Sequence, residues 1–276
     1  MNQFQKFMIS TGRPIALAAV FIVPGFLVRS VLNVFFDVAL SKLLTSMLNF
    51  VLAAFAAFVI FPNWLKQPFG NIRLPEYLRR LGFYKPEKAW KHVLMGVLLA
   101  LCTLAGMLAA SILTGRYTVD WHTINLPHII FSLNPGIWEE FFFRGIIMAI
   151  LIRRTGSFRQ AAMIQILIFG LLHISEFGLW PMIDVISVMV LAMAFTYTAY
   201  KTRTLLAGIV FHFLHDALLF FVQVPEGEYN GTGENIPFYA FLWFMVIVGC
   251  LFVKISAEKY GVRAKTELYI TGKRQE

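Results

Sequence analysis

Charged residues are scarce in this chain: Asp, Glu, Lys and Arg make up only 14% of its 276 residues. Soluble domains average about 25% charged residues and about 45–50% apolar ones. Here 58% of the residues are hydrophobic and the mean hydropathy is +0.70. These values exclude an ordinary soluble domain, and they predict an integral membrane protein whose main partner is the lipid bilayer.

Cysteine and acidic residues are also few. The two cysteines, Cys102 and Cys250, lie in apolar runs, which argues against a disulfide framework and against a cysteine-based zinc site. The chain has 15 acidic and 24 basic residues, giving a net charge of +9. Because the basic residues concentrate between apolar runs, we interpret the excess as a membrane-topology signal. No nucleic-acid partner is predicted.

Long apolar runs dominate the sequence, and a transmembrane helix needs about 20 such residues. Eight candidate runs lie near 14–34, 43–61, 93–114, 137–153, 159–175, 182–200, 205–222 and 237–257. The first run is too long for a signal-peptide core and lacks a small-residue cleavage site, so we expect it to be retained. The sequence therefore predicts an all-α, polytopic transmembrane helix bundle of about eight spans, in a single membrane domain over 1–276.

The basic residues lie mainly on the side of the membrane that holds both termini. The positive-inside rule then places both termini in the cytoplasm. Short loops and the lack of organelle signals favour a bacterial plasma membrane. The longest loop on this side is a basic connector, 62–92, in which the segment EYLRRLGF is expected to form an amphipathic surface helix. Anionic headgroups would attract such a connector.

Ionisable residues inside predicted spans are the candidate functional residues, because burying them costs several kcal/mol unless they are paired. The fourth run contains Glu139, Glu140 and Arg144. In an α-helix Glu140 and Arg144 are i and i+4, so they share a face and can form a structural ion pair. Glu139 points about 100° away from Glu140. It is therefore the carboxylate left to act as a general base.

Two other predicted spans carry imidazoles. His173 lies near the end of the fifth run, four residues after Phe169, and His212 and Asp216 are i and i+4 in the seventh. The predicted topology places all of them in the outer half of the bilayer with Glu139. Taken alone, His173 would be an interfacial residue, and His212 with Asp216 would be a polar contact between helices. Together they predict a site for acid–base chemistry.

The remaining ionisable residues in or near spans are expected to have supporting or interfacial roles. His215, next to Asp216, is predicted to orient its neighbours. Arg29 is expected to extend its charge to the membrane surface, and Asp184 to lie at the interface. These residues are not expected to take part in the chemistry.

Three motifs follow one another in the predicted catalytic core, 137–222: Glu139-Glu140-x-x-x-Arg144, Phe169-x-x-x-His173 and His212-x-x-x-Asp216. Their order resembles the CPBP intramembrane proteases, which include the CAAX prenyl endopeptidases of the Rce1 type and the bacteriocin-processing Abi proteins. The resemblance spans roughly 134–221. It implies an intramembrane endopeptidase that hydrolyses membrane-associated or lipidated peptides and requires no cofactor.

The resemblance also implies residue roles. Glu139 and His173 would activate a water molecule, while His212 and Asp216 would stabilise the oxyanion. The family often has Asn where this chain has Asp216, and an ionised carboxylate would repel an oxyanion. Asp216 is therefore expected either to be protonated or to orient a neighbouring histidine.

Three alternatives remain open from the sequence. In a zinc enzyme, Glu139, His173 and His212 would be the ligands, with a fourth position open for water. A non-catalytic immunity or regulatory protein could retain the same fold. A proton-coupled transporter would also place carboxylates in spans, although no inverted repeats are detectable.

Overall fold

The computed structural model describes residues 12, 16, 31–32, 34–36, 38–114, 118–120, 122, 126–174, 179–219, 222–223, 236–262 and 269. Nearly all of these residues are helical, and the prediction of an all-α helix bundle is confirmed. The α-helices are α1 Val38–Phe55, α2 Leu74–Arg80, α3 Ala89–Thr114, α4 Leu126–Glu139, α5 Met148–Thr155, α6 Phe158–Leu171, α7 Leu179–Thr202, α8 Leu206–Leu219 and α9 Ile236–Lys259.

Two stretches of π-helix extend these elements. Ala56–Trp64 continues α1, and Glu140–Ile147, which we call the π segment, joins α4 to α5 in one continuous helix. The short strands β1 Thr118–Val119 and β2 Val222–Gln223 pair antiparallel, with Thr118 opposite Gln223. This pairing ties the chain after α3 to the chain after α8.

Four helical stretches in the described part of the chain are long and apolar enough to cross a membrane: Leu43–Trp64, Ala89–Leu113, Met182–Thr202 and Phe238–Lys259. Two shorter apolar helices are Phe158–Leu171 and Leu206–Leu219. The chain is thus an integral membrane protein. The first predicted run, 14–34, falls largely outside the described residues, and the count of eight spans stays a prediction.

The turn between α5 and α6 follows directly from the sequence. Gly156 adopts a left-handed conformation with φ of 69°, and its N–H donates to the carbonyl of Ile152. Glycine tolerates this conformation without a steric penalty, so α5 ends here. Ser157 then caps α6 by accepting a hydrogen bond from the N–H of Gln160. This tight connection brings α6 back alongside α5.

Two apolar clusters form the core. One surrounds the π segment and α5, and the other joins α3, α7, α8 and α9. Helix α8 packs against α3, α4 and α7, so it lies at the centre of the bundle. Its histidines are therefore enclosed by other helices.

The connector 62–92 folds against the end of the bundle. The carbonyl of Pro68 accepts a hydrogen bond from Arg153 at the end of α5, and the Leu205 N–H donates to the Gly82 carbonyl. The predicted surface helix corresponds to α2, where Tyr77 is buried in the core. Burial raises the pKa of Tyr77, so its hydroxyl stays neutral. The connector is therefore docked on protein through Tyr77.

Replacing Tyr77 with alanine should remove this anchor. Losing a large aromatic side chain from a packed core costs about 3–5 kcal/mol in free energy of unfolding. We expect Tyr77→Ala to show this loss in reversible unfolding of the detergent-solubilised protein. Tyr260→Ala is the matched control, because Tyr260 is 58% exposed. Equal stability of the two variants would contradict the docking of the connector.

Candidate active site

The first motif lies where α4 passes into the π segment. Glu139 is the last residue of α4, and every residue from Glu140 to Ile147 is buried. An α-helical geometry was expected here, whereas the structure has the wider π turn. Such turns are rare in proteins and frequently occur at functional sites.

Glu140 and Arg144 form an ion pair within the π segment. Arg144 Nη1 donates to Glu140 Oε1 at 3.0 Å, and both side chains are fully buried. A buried charge is costly unless it is paired, so each residue depends on the other. The four-residue spacing of Glu140 and Arg144 therefore brings the two groups together in the π turn, as was expected for an α-helix.

Glu140 has a second partner that the sequence did not suggest. Nδ1 of His212, on α8, lies 2.8 Å from the same Oε1 atom that Arg144 binds. Because a carboxylate only accepts hydrogen bonds, Nδ1 of His212 carries the hydrogen. The other ring nitrogen, Nε2, is then directed away from Glu140.

Nε2 of His212 lies close to two further carboxylates. Glu139 Oε2 is 3.9 Å away and Asp216 Oδ2 is 3.6 Å away. The side chains of Glu139 and Asp216 are 32% and 28% exposed, whereas that of His212 is 6% exposed. The structure therefore brings these three residues together at a partly accessible face.

Aromatic rings enclose the charged groups. The Arg144 guanidinium lies 4.2 Å from the ring centroid of Phe169 and 5.0 Å from that of Phe195. Its Nε and Nη2 atoms have no hydrogen-bond partner among the described residues, and the two ring faces supply cation–π attraction instead. Phe195 also stacks on the His212 ring, with 4.5 Å between centroids. These contacts fix the orientation of both side chains.

His173 lies just beyond the C-terminal end of α6 and is exposed. Its Nδ1 is 2.7 Å from the Phe169 carbonyl, and its ring lies 4.7 Å from the Phe169 ring. Phe169 also contacts His212, at 6.4 Å between ring centroids. No carboxylate of the described chain forms an ion pair with His173. The structure thus links His173 to His212 through the Phe169 ring, which contacts both.

The other predicted residues lie at some distance from this face. His215 is buried, and its Nδ1 is 3.4 Å from the Thr103 hydroxyl on α3. Asp184 accepts a hydrogen bond from the Tyr239 hydroxyl on α9. Arg29 lies outside the described residues.

Several residues that support the site were not predicted from the sequence. Phe195 stacks on His212, and the backbone carbonyl of Asp216 lies 3.2 Å from His128 Nε2. The Tyr269 hydroxyl, which burial keeps neutral by raising its pKa, donates to the Arg144 carbonyl. Gly208, where a Cβ would lie 3.1 Å from Glu140 Oε2, also borders the site, and the sequence offers a signal for it because it precedes His212 by four residues on the same helix face.

A zinc site would need Glu139, His173 and His212 to converge on one point. Within the described ranges, no three His, Cys, Asp or Glu side chains are arranged to hold a metal ion. His173 in particular does not converge with Glu139 and His212. The predicted His₂Glu set therefore does not fit a zinc ion in this arrangement, and no step of the chemistry is assigned to a metal.

Comparison with known proteins gives one match. Residues 120–218 match the family model described as Type II CAAX prenyl endopeptidase Rce1-like. No curated protein and no solved structure matches the chain. The matched range contains all three motifs, from Glu139 to Asp216. Residues 120–218 therefore form an Rce1-like region, and the predicted resemblance to the CAAX protease family is confirmed.

Proposed function

We propose that the protein is an intramembrane endopeptidase that cleaves membrane-associated or lipidated peptides through a glutamate-activated water molecule. The observation that carries this proposal is the arrangement of Glu139 and His212. Glu139 Oε2 and His212 Nε2 lie 3.9 Å apart at the partly exposed face of the site. That separation is too long for a direct hydrogen bond, and it suits a water molecule bonded to both groups.

In this mechanism Glu139 is the general base. It takes a proton from the water as the oxygen attacks the peptide carbonyl carbon. The protonated Glu139 then delivers this proton to the leaving nitrogen as the carbon–nitrogen bond breaks. Arg144 does not neutralise Glu139, because its ion pair is formed with Glu140. The carboxylate of Glu139 thus remains able to accept the proton.

His212 is the proposed oxyanion donor. Glu140 holds its Nδ1, and Phe195 stacks on its ring, so Nε2 is fixed toward the exposed face. With hydrogen on both nitrogens, His212 donates Nε2–H to the developing oxyanion. The carboxylate of Asp216, 3.6 Å from Nε2, then orients this imidazole rather than binding the oxyanion itself.

His173 is proposed to act from the rim of the site. Its Nδ1 is engaged by the Phe169 carbonyl, which directs Nε2 away from the backbone. The side chain is exposed, and the Phe169 ring contacts both it and the His212 ring. From there it can contact the attacking water or the substrate when a peptide binds.

The family match and the membrane setting support the proposed substrate class. The matched family is described as Type II CAAX prenyl endopeptidase Rce1-like, and we propose a lipidated or membrane-associated peptide as the substrate of this chain. In a bacterial plasma membrane, leader-bearing bacteriocins or signalling peptides are the better candidates. We propose that both termini are cytoplasmic, as the distribution of basic residues indicates.

A non-catalytic immunity or regulatory protein is the main alternative from another class. The partly exposed carboxylate of Glu139 beside His212 favours catalysis, since a structural role alone would not need a carboxylate at an accessible face. A proton-coupled transporter is a further alternative. Vesicle uptake assays that show substrate-driven proton flux without cleavage would favour the transporter.

Replacing Glu139 with glutamine should remove the base. General base catalysis contributes about 10²–10⁴-fold, so we expect kcat for cleavage of a membrane-associated peptide to fall by that factor. Substrate affinity and thermal stability should change little, because the side chain is partly exposed. Full activity of Glu139→Gln would rule out this residue as the base.

Replacing Glu140 with glutamine should act through stability. Removing one partner of a buried ion pair costs about 3–5 kcal/mol, because the Arg144 charge remains buried. We expect a lower midpoint of unfolding for Glu140→Gln than for Glu139→Gln. If both variants unfold alike, the different roles assigned to the two carboxylates are wrong.

Treatment with a chelator tests the zinc alternative. Because the proposed base and oxyanion donor belong to the protein, cleavage should persist after incubation with EDTA or 1,10-phenanthroline. Metal analysis of the purified protein provides a second measurement. Loss of cleavage that zinc restores would favour the metal-dependent mechanism.

A further inference from the structure

Gly208 of helix α8 faces the Glu140 carboxylate. A Cβ atom built on Gly208 would lie 3.1 Å from Glu140 Oε2 and 3.8 Å from its Cδ. Few Cβ atoms in proteins have neighbours as near as 3.1 Å. Because Gly208 has no side chain, Oε2 of Glu140 can lie at this position without a close contact.

The carboxylate has little freedom to move away from such a Cβ. Its other oxygen, Oε1, is held by Arg144 Nη1 and by His212 Nδ1. Oε2 itself is buried and has no hydrogen-bond partner among the described residues. A rotation that moved Oε2 away from residue 208 would also move Oε1 away from its two donors.

Gly208 lies one turn before His212 on the same face of α8. The same turn of helix therefore faces both oxygens of Glu140: Gly208 lies on the side of Oε2, and His212 Nδ1 binds Oε1. We propose that Gly208 is a positioning residue, whose lack of a side chain sets the Glu140 carboxylate at the distance that holds His212 Nδ1. This inference rests on the proposed role of His212 in catalysis.

Gly136 also lies against α8, but there a Cβ would meet backbone atoms. A Cβ at Gly136, on α4, would lie 2.9 Å from the backbone nitrogen of Phe213 and 3.0 Å from its Cα. The two helices therefore touch through their backbones at Gly136, and an added methyl group would force them apart. At Gly208 the added methyl group would meet only the carboxylate. Gly136 thus determines whether the helices can pack, while Gly208 determines the position of Glu140.

The test is the Gly208→Ala variant of the full chain, purified in detergent. We expect kcat for peptide cleavage to fall by between about tenfold and a hundredfold, because small displacements of catalytic groups have effects of this size. KM should stay within twofold of the wild-type value. Gly249→Ala is the matched control, since its Cβ would meet only the end of the Leu99 side chain, at 2.8 Å. Its kcat should be unchanged.

A double-mutant comparison separates positioning from a general packing defect. Aspartate at position 140 withdraws the carboxylate from residue 208 by about one methylene group. We therefore expect Gly208→Ala to lower kcat in the wild-type background and to have no further effect in a Glu140→Asp background. Equal losses in both backgrounds would overturn the proposal. If Gly208→Ala alone fails to fold, recovery of folding in the double variant supports the proposal, and continued failure overturns it.

A spectroscopic measurement makes the test independent of activity. In ¹⁵N-histidine spectra, the chain's six histidines can be compared, and the His212 signals are those lost in His212→Asn. We expect the His212 Nδ1 resonance to shift in Gly208→Ala and to stay in place in Gly249→Ala. A shift in a protein without peptidase activity would sustain this inference while refuting the proposed function. An unshifted resonance in folded Gly208→Ala overturns the inference.

Discussion

The site depends on the hydrogen bonds that the buried carboxylate of Glu140 accepts. A single oxygen, Oε1, accepts hydrogen bonds from Arg144 in the π segment and from His212 in α8. Arg144 in turn lies against the Phe169 ring of α6. One carboxylate thus connects the three sequence motifs, which come from three different helices. The pairing of charges makes this burial possible, because each of these groups would be costly to bury alone.

Much of this arrangement follows from local sequence rules. The composition predicts a membrane-embedded helix bundle, and the spacing of Glu140 and Arg144 predicts their ion pair, because residues four apart face each other on a helix. The separation of Glu139 from that pair follows in the same way. These features depend only on positions along one helix, which explains why the sequence reveals them.

The contact between Glu140 and His212 could not be predicted in this way. It joins residues 72 positions apart in the chain, and it depends on how closely α4 and α8 pack. The ends of helices were equally difficult to predict from the sequence. The fifth apolar run was expected to reach residue 175, whereas α6 ends at Leu171 and leaves His173 beyond the helix. Hydropathy alone does not mark such an end, since apolar residues continue past it.

The helix that carries the first motif is held at three points. Gly136 touches the backbone of α8 near the end of α4, the Tyr269 hydroxyl donates to the Arg144 carbonyl in the π segment, and Arg153 donates to the Pro68 carbonyl near the end of α5. Sliding or tilting this helix would break contacts at all three levels. The two carboxylates of the first motif are therefore carried by a helix that is anchored to its surroundings at three points, so their positions depend on contacts outside the site.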